Sequence, residues 1–572
     1  MNERRSLWWI AFAALALRLV LLVARGDYIV YDEGYYLLLA RSLRAGQGFA
    51  LNGLPHVALS PLQPVLVAAL SALGVPDLWA SRLLAAVCGA GLVVPVASLA
   101  RRAGGPRAAL AASAFTAASP ALMSFVPFFP GESWNLYFGS EPLFLLLAFG
   151  AVAAAARATE DGWRWWLATG LLAGGSFLAR AEGAVLAPVL LVVLGAVAVI
   201  GRRAAAWRHL ALAACAAALV AAPYLLYLHA TLGRWAISGR VQAASQAGED
   251  APSTVQGARS GGQVLDAFVW QGHPDAFLQA LYRLDPAGTR MASQYWGVHA
   301  QPAPPGSGAP QRPATPAARM SAAGTDSDVA SQPPRRGTLA VWWRGVTTVV
   351  PWWFGVLALA GLGLASVGAL VWVLPLAACA LVPSLLTYVE PRSLLPLAPL
   401  AAIFAAVTAM WIAGRLERWK PAPVVVAAVV VLALAAPAGR DLVRAWPQTT
   451  ALQQVATARR AVGEYLAQHL RPDSIVMSWH PAVALWAGRP WRVMPYDSFE
   501  RITGYARGEG VAAIVFSRFE PSPLPRPPRA FTIVLPDVGG AATGSSVQVV
   551  PVDETPLLFV GRLARVPAPG AR

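Results

Sequence analysis

Two adjacent carboxylates, Asp32 and Glu33, stand in the run Tyr31-Asp32-Glu33-Gly34-Tyr35-Tyr36, just past an apolar stretch from Leu7 to Ala24. That stretch is about long enough to cross a bilayer, and charge beside hydrocarbon is costly enough to mark a functional place. Other polar groups fall on connections expected at the same membrane face. Glu132 lies in Gly131-Glu132-Ser133-Trp134-Asn135, Glu141 in Ser140-Glu141-Pro142-Leu143-Phe144, Arg180 and Glu182 in Leu178-Ala179-Arg180-Ala181-Glu182-Gly183, and Tyr388, Glu390 and Arg392 in one later turn. A carboxylate can take the proton of an attacking hydroxyl. Guanidinium groups bind phosphate through two hydrogen bonds and offset charge on a departing one. Acids and arginines sharing one face suit a site that handles a lipid-linked phosphate.

Each group also has a structural reading. Glu141-Pro142 fits a helix start with Ser140 as cap. Arg180 and Glu182 fit an interfacial ion pair, and Arg392 fits a snorkelling anchor. His56 suits a loop and His480 the fold of a soluble domain. Shared sidedness separates the functional reading from these.

The elements that position these groups are membrane helices. The chain has 572 residues, of which 56% are hydrophobic and only 13% charged. Soluble domains carry about 25% charge, so this is the composition of an integral membrane protein. Apolar runs predict about eleven spans, near 7–24, 82–100, 107–125, 140–157, 164–180, 183–200, 208–228, 347–366, 369–388, 393–413 and 422–438. Arginines alternate with them: Arg4 and Arg5, then Arg101, Arg102 and Arg107, then Arg157 and Arg164, then Arg202, Arg203 and Arg208, and later Arg415, Arg418 and Lys420. By the positive-inside rule the N-terminus is cytoplasmic and the C-terminal region lies outside. The formal charge of +16 is thus largely a topology signal, and no basic run interleaved with aromatics suggests a nucleic-acid groove. Cys88, Cys215 and Cys379 all fall inside expected spans and read as small apolar fillers.

Four blocks follow from this pattern. Residues 1–438 form an all-α polytopic bundle, holding a first outer loop at 25–81 and a long outer loop at 229–346. Within the first loop, Glu33–Arg44 and Pro61–Leu73 suit helices lying at the interface. Within the second, Gln301–Gly337 is rich in Pro, Ala, Ser and Gly and is expected to be disordered. Residues 439–572 read as a soluble α/β domain. It begins with an amphipathic helix at Ala451–Leu470 and continues with strands near 475–479, 492–494, 511–516, 531–534 and 547–550, with helices near 481–487 and 499–507.

The ordered motifs Tyr31–Tyr36, Gly53-Leu54-Pro55, Ser60-Pro61-Leu62-Gln63-Pro64, Ser140–Phe144, Leu178–Gly183 and Tyr388-Val389-Glu390-Pro391-Arg392 resemble those of polytopic glycosyltransferases of the GT-C fold. More closely, they resemble bacterial relatives of protein O-mannosyltransferases and of the aminoarabinose and galacturonic acid transferases of lipid A. The resemblance covers roughly residues 7–415. It implies Asp32 as the general base with Glu33 as its neighbour or substitute, Glu141 as an acid that orients substrate or helps hold a divalent metal, and Arg180 and Arg392 on the donor phosphate. Glu182, Tyr388 and Glu390 would complete that binding site. Leu59-Ser60 stands where some relatives place a lysine or glutamate, Ala181 replaces a usual proline, and Ser393 a common tyrosine. A metal or phosphate contact made by those residues in relatives does not transfer here.

The expectation is an inverting glycosyltransferase of the cytoplasmic membrane, working at its outer face on a polyprenyl-monophosphate sugar. No cofactor or metal is required, although a divalent metal is compatible. The acceptor class is open among protein, lipid and glycan. A transporter or flippase of lipid-linked sugar is the alternative, disfavoured because the spans are almost free of acids and show no repeat.

Overall fold

The computed structural model describes residues 3–29, 31–51, 54–123, 139–160, 162–200, 206–239, 284, 338–386, 392–416, 422–495, 497–517, 531–534 and 547–548. Glu132, Tyr388, Glu390 and the stretch 301–337 lie outside them. The elements that open the chain are α1 (Glu3–Arg25), α2 (Tyr31–Arg44), the strand pair β1 (Ala50–Leu51) and β2 (Leu54–Pro55), α3 (Leu62–Ala72), α4 (Asp77–Gly91) and α5 (Val93–Ala118). Next come α6 (Glu141–Ala158), α7 (Trp163–Ala179), α8 (Leu186–Ile200) and α9 (Ala206–Leu232). Then follow α10 (Thr338–Val349), α11 (Trp352–Leu364), α12 (Val367–Leu370), α13 (Val373–Leu386), α14 (Leu397–Arg415) and α15 (Ala422–His469).

Among the described residues, 6 helical segments are long and apolar enough to cross a membrane. One of these, Asp77–Ala118, is too long for a single pass at 42 residues. It breaks at Gly104 and Gly105, the latter at φ +82°, where only glycine is at ease. The chain reverses there, because Ala117 returns to pack beside Ala90 and Val93. Gly105 therefore turns one apolar run into the two spans expected at 82–100 and 107–125. The chain is a multi-pass membrane protein. Several shorter apolar helices, among them Trp352–Leu364 and Gly368–Pro383, complete the bundle.

Small residues set how closely the helices approach. A side chain at Gly170 or Gly174 would strike the carbonyl of Ala213 or Ala217, so α7 and α9 meet backbone to backbone across that pair. The i, i+4 glycine spacing is the usual device for such contact in lipid. The central core of alanines, Phe115, Phe149 and Phe404 joins α5, α6, α7 and α14.

The C-terminal elements are β3 (Ile475–Ser478), α16 (Ala482–Ala487), β4 (Trp491–Val493), α17 (Phe499–Gly508), β5 (Val511–Ser517), β6 (Phe531–Val534) and β7 (Val547–Gln548). They form a 5-stranded sheet in the order β4-β3-β5-β6-β7. β3 runs parallel to both β4 and β5, as βα units require, whereas β6 and β7 add antiparallel at the edge. Every strand expected from the sequence is present.

One expectation is corrected. The separate span at 422–438 and amphipathic helix at 451–470 are a single helix of 48 residues, α15. At ~1.5 Å per residue it is ~72 Å long, far more than a bilayer core, so its second half stands outside the membrane. That half carries Val462 and Leu466 into a core shared with α2 and the sheet. Packing against this domain keeps the helix continuous where composition alone suggested a break.

Candidate active site

Asp32 sits in the first turn of α2, where the helix dipole favours a carboxylate. Its Oδ2 accepts a hydrogen bond of 2.7 Å from Nη1 of Arg392, which lies in the turn leading into α14. The same Nη1 is 3.8 Å from Oε1 of Glu141, the first residue of α6. Glu141 Oε1 in turn accepts from Nη1 of Arg180 at 2.6 Å. Arg180 closes the chain on Glu182, donating from Nη2 at 2.6 Å and from Nε at 3.3 Å. Five charged side chains from four connections thus form one continuous network.

Local structure explains each placement. Arg180 leaves α7 in an extended conformation at φ −153° and turns its side chain inward. Gly183 then lies against the backbone of Ser176 and Phe177 so tightly that a side chain would overlap them. That close turn folds Glu182 back onto Arg180. Ser140 precedes α6 but makes no side-chain cap hydrogen bond, contrary to its capping reading. Its hydroxyl instead lies 2.9 Å from the hydroxyl of Tyr36, one turn beyond Asp32 on α2.

Burial sharpens the electrostatics. Arg180, Glu141 and Arg392 are buried, while Asp32 keeps 19% of its side chain exposed. Burial opposes the charge on Arg180, but the nearby Glu182 and Glu141 carboxylates more than offset this and hold its pKa above the ordinary value. The network has three carboxylates for two guanidinium groups. Oε2 of Glu141 is buried without a hydrogen-bond partner among the described residues, an open acceptor inside the cluster. A buried acceptor left open is costly, which suits a place that a hydroxyl donor fills. Among the described residues no group of three or more His, Cys, Asp or Glu is arranged to hold a metal ion.

Glu33 points elsewhere. Fully buried, it accepts from Nε of Arg82 on α4 at 3.1 Å. Arg82 also donates to the carbonyl of Gly26 and, at 2.6 Å, to that of Tyr28. The sequence reading groups Glu33 with Asp32; the structure places it in this separate clamp between α4 and the α1–α2 connection. Arg82 stands at the outer end of the span expected at 82–100, where an arginine reads as an ordinary flank until its partner is known. Nothing in the sequence pairs Tyr36 with Ser140, 104 positions away.

Residues 58–227 match the family model described as dolichyl-phosphate-mannose-protein mannosyltransferase. The match takes in Arg82, Glu141, Arg180 and Glu182 and leaves Asp32 and Arg392 outside. No curated protein matches the sequence of the whole chain. The archaeal oligosaccharyltransferase AglB from Archaeoglobus fulgidus, solved with an inhibitory peptide and a dolichol-phosphate, is similar in structure at TM-score 0.52. Identity is 14%, over 90% of this chain and 69% of that one. The chain has the GT-C fold, and its residues 58–227 are similar to the O-mannosyltransferases. ArnT from Cupriavidus metallidurans, solved with undecaprenyl phosphate and in the apo state, also aligns with this GT-C protein, at TM-scores 0.47 and 0.46 and 14% identity. In both states the alignment covers 89% of this chain and 93% of ArnT. The mannosyltransferase match sets the GT-C protein among glycosyltransferases.

Proposed function

We propose that this protein transfers a sugar from a polyprenyl-monophosphate donor to an acceptor hydroxyl, with inversion, at the outer face of the cytoplasmic membrane. The single observation that carries the reading is the unbroken chain Asp32–Arg392–Glu141–Arg180–Glu182, which gathers a base and two phosphate-binding cations at one place. The donor's phosphodiester competes with Asp32 for Arg392. A carboxylate released from a guanidinium regains its basicity, so Asp32 becomes an effective base once the donor is seated. It then takes the acceptor proton as the oxygen bonds to the anomeric carbon. The anomeric carbon–oxygen bond breaks on the opposite side, and the polyprenyl phosphate leaves with the electron pair beside Arg392 and Arg180. Glu141 Oε2, the open acceptor, receives a sugar hydroxyl.

The family match and the polyprenyl phosphates bound by AglB and ArnT agree with this donor class. In the same reading the N-terminus is cytoplasmic, the bundle 1–438 is the transferase domain, and residues 439–572 lie outside. Tyr388 and Glu390, which precede Arg392 closely in the sequence, are assigned to the donor site in the same reading. Metal dependence is tested directly, by assay with and without a chelator. The decisive measurement follows a radiolabelled polyprenyl-phosphate sugar in proteoliposomes. Release of polyprenyl phosphate by the wild type and its loss in Asp32→Asn supports the reading, and full activity in Asp32→Asn refutes it. A transporter would move the labelled lipid and release no lipid phosphate.

A further inference from the structure

The helix that carries Asp32 is not held by the membrane bundle alone. α2 is wedged between the bundle and the C-terminal α/β domain. On the domain side, Tyr36 and Leu39 enter one core with Val462, Leu466, Val483, Ala484 and Trp491. The rings of Tyr35 and Trp491 meet edge to face at 5.2 Å. Arg41 spans both partners, donating from Nε to Asp77 at 2.7 Å and from Nη1 to the carbonyl of Leu485 at 2.6 Å. The α2 backbone also comes close to the domain at Gly34, two residues from Asp32. A Cβ built there would overlap Cγ of Pro481, with Pro481 Cβ at 3.2 Å and Leu485 Cδ1 at 3.6 Å. Gly34 is helical, so its backbone does not demand glycine, whereas the proline ring does. About 100° round the helix, Glu33 is paired with Arg82.

From this geometry we infer that the α/β domain positions the base: Pro481 bears on Gly34 and, against the Arg82–Glu33 clamp, fixes where the first turn of α2 presents Asp32. Gly34 and Pro481 are positioning residues, and neither touches substrate. The inference rests on the proposed role of Asp32. A rigid ring pressed on a helix backbone transmits position, because a proline cannot swing aside as a lysine or methionine can. Any side chain at position 34 must move α2 or the domain. Displacing a catalytic group by about 1 Å can cost about 100-fold in rate.

The test is a rescue series in the full-length protein reconstituted in proteoliposomes: Gly34→Ala, Pro481→Gly and the double variant. Each is assayed for transfer from a labelled polyprenyl-phosphate sugar, for melting temperature and for elution as a single species. Gly34→Ala is expected to lower kcat by about 100-fold while the donor KM changes less than about threefold, since Arg180 and Arg392 reach the site from the bundle. Removing the ring leaves Leu485 Cδ1 as the nearest atom, at 3.6 Å, so the double variant is expected to recover to within about tenfold of wild type. Undiminished activity in Gly34→Ala overturns the proposal. So does a folded double variant no more active than Gly34→Ala. Should Gly34→Ala fail to fold, Pro481→Gly alone decides: a lowered kcat at unchanged donor KM supports positioning, and wild-type kinetics overturn it. If Asp32→Asn proves active, the assignment of the base fails instead, whatever the series at Gly34 shows.

Discussion

Asp32 and Glu33 are neighbours of the same charge on one helix, yet they meet opposite surroundings. Successive helical residues project about 100° apart. Asp32 faces Arg392, a cation it shares with Glu141. Glu33 faces Arg82, which also donates to the carbonyls of Gly26 and Tyr28. One carboxylate keeps an exposed edge and an exchangeable partner; the other has neither. The difference shows how neighbouring acids on one helix part company: Asp32 shares its cation with a second carboxylate, whereas Glu33 is enclosed with a cation that also holds two backbone carbonyls.

The comparison breaks most visibly under substitution of the exposed member. Asp32→Asn is expected to lower transfer by about 10²–10⁴-fold with melting unchanged, the usual span for loss of a general base. Arg82→Met should do the reverse, removing the cation beside buried Glu33 at a cost of about 3–5 kcal/mol in stability. Thermal unfolding in detergent checks this, and Glu33→Gln combined with Arg82→Met should recover part of the loss. Equal stability of single and double variants would mean that the clamp is not a coupled pair.

Acid reports on the domain that flanks α2. His480 precedes Pro481, and burial, reinforced by the nearby positive Arg459, pushes its pKa well below the ordinary value. The folded state therefore favours neutral imidazole, and the unfolded state binds the extra proton. Domain stability is full above a pH of about 6.5 and declines as pH falls below it. Limited proteolysis of the domain at pH 8 and pH 5 should reveal this, with faster cleavage in acid. The smallest effect belongs to the far end of α6 from Glu141. Arg102 and Glu160 pair there in solvent, with Glu160 60% exposed, so Glu160→Gln should change melting by less than about 1 kcal/mol equivalent.

Much was legible before any coordinate. Apolar runs of bilayer length and arginines at alternate connections announce a polytopic bundle, because lipid leaves few other ways to satisfy a backbone. The strands described in the terminal domain fall where the sequence places them. Asp32, Glu141, Arg180, Glu182 and Arg392 stood out because charge near hydrocarbon is rare. Hidden from view were the partners. Nothing in the spacing separates Asp32 from Glu33, since side-chain direction depends on where α2 is docked. Arg82 looked like a flank, Ser140 like a cap, and α15 like two helices.

The linear chain by itself determined the membrane class, the sidedness of the charged groups and the terminal α/β domain, because hydrophobicity and charge act through local composition. Only the tertiary structure decided which cation each carboxylate meets, that α2 is gripped from two sides, and that Gly34 must lack a side chain. These depend on contacts between residues tens to hundreds of positions apart, at distances that one methyl group would alter.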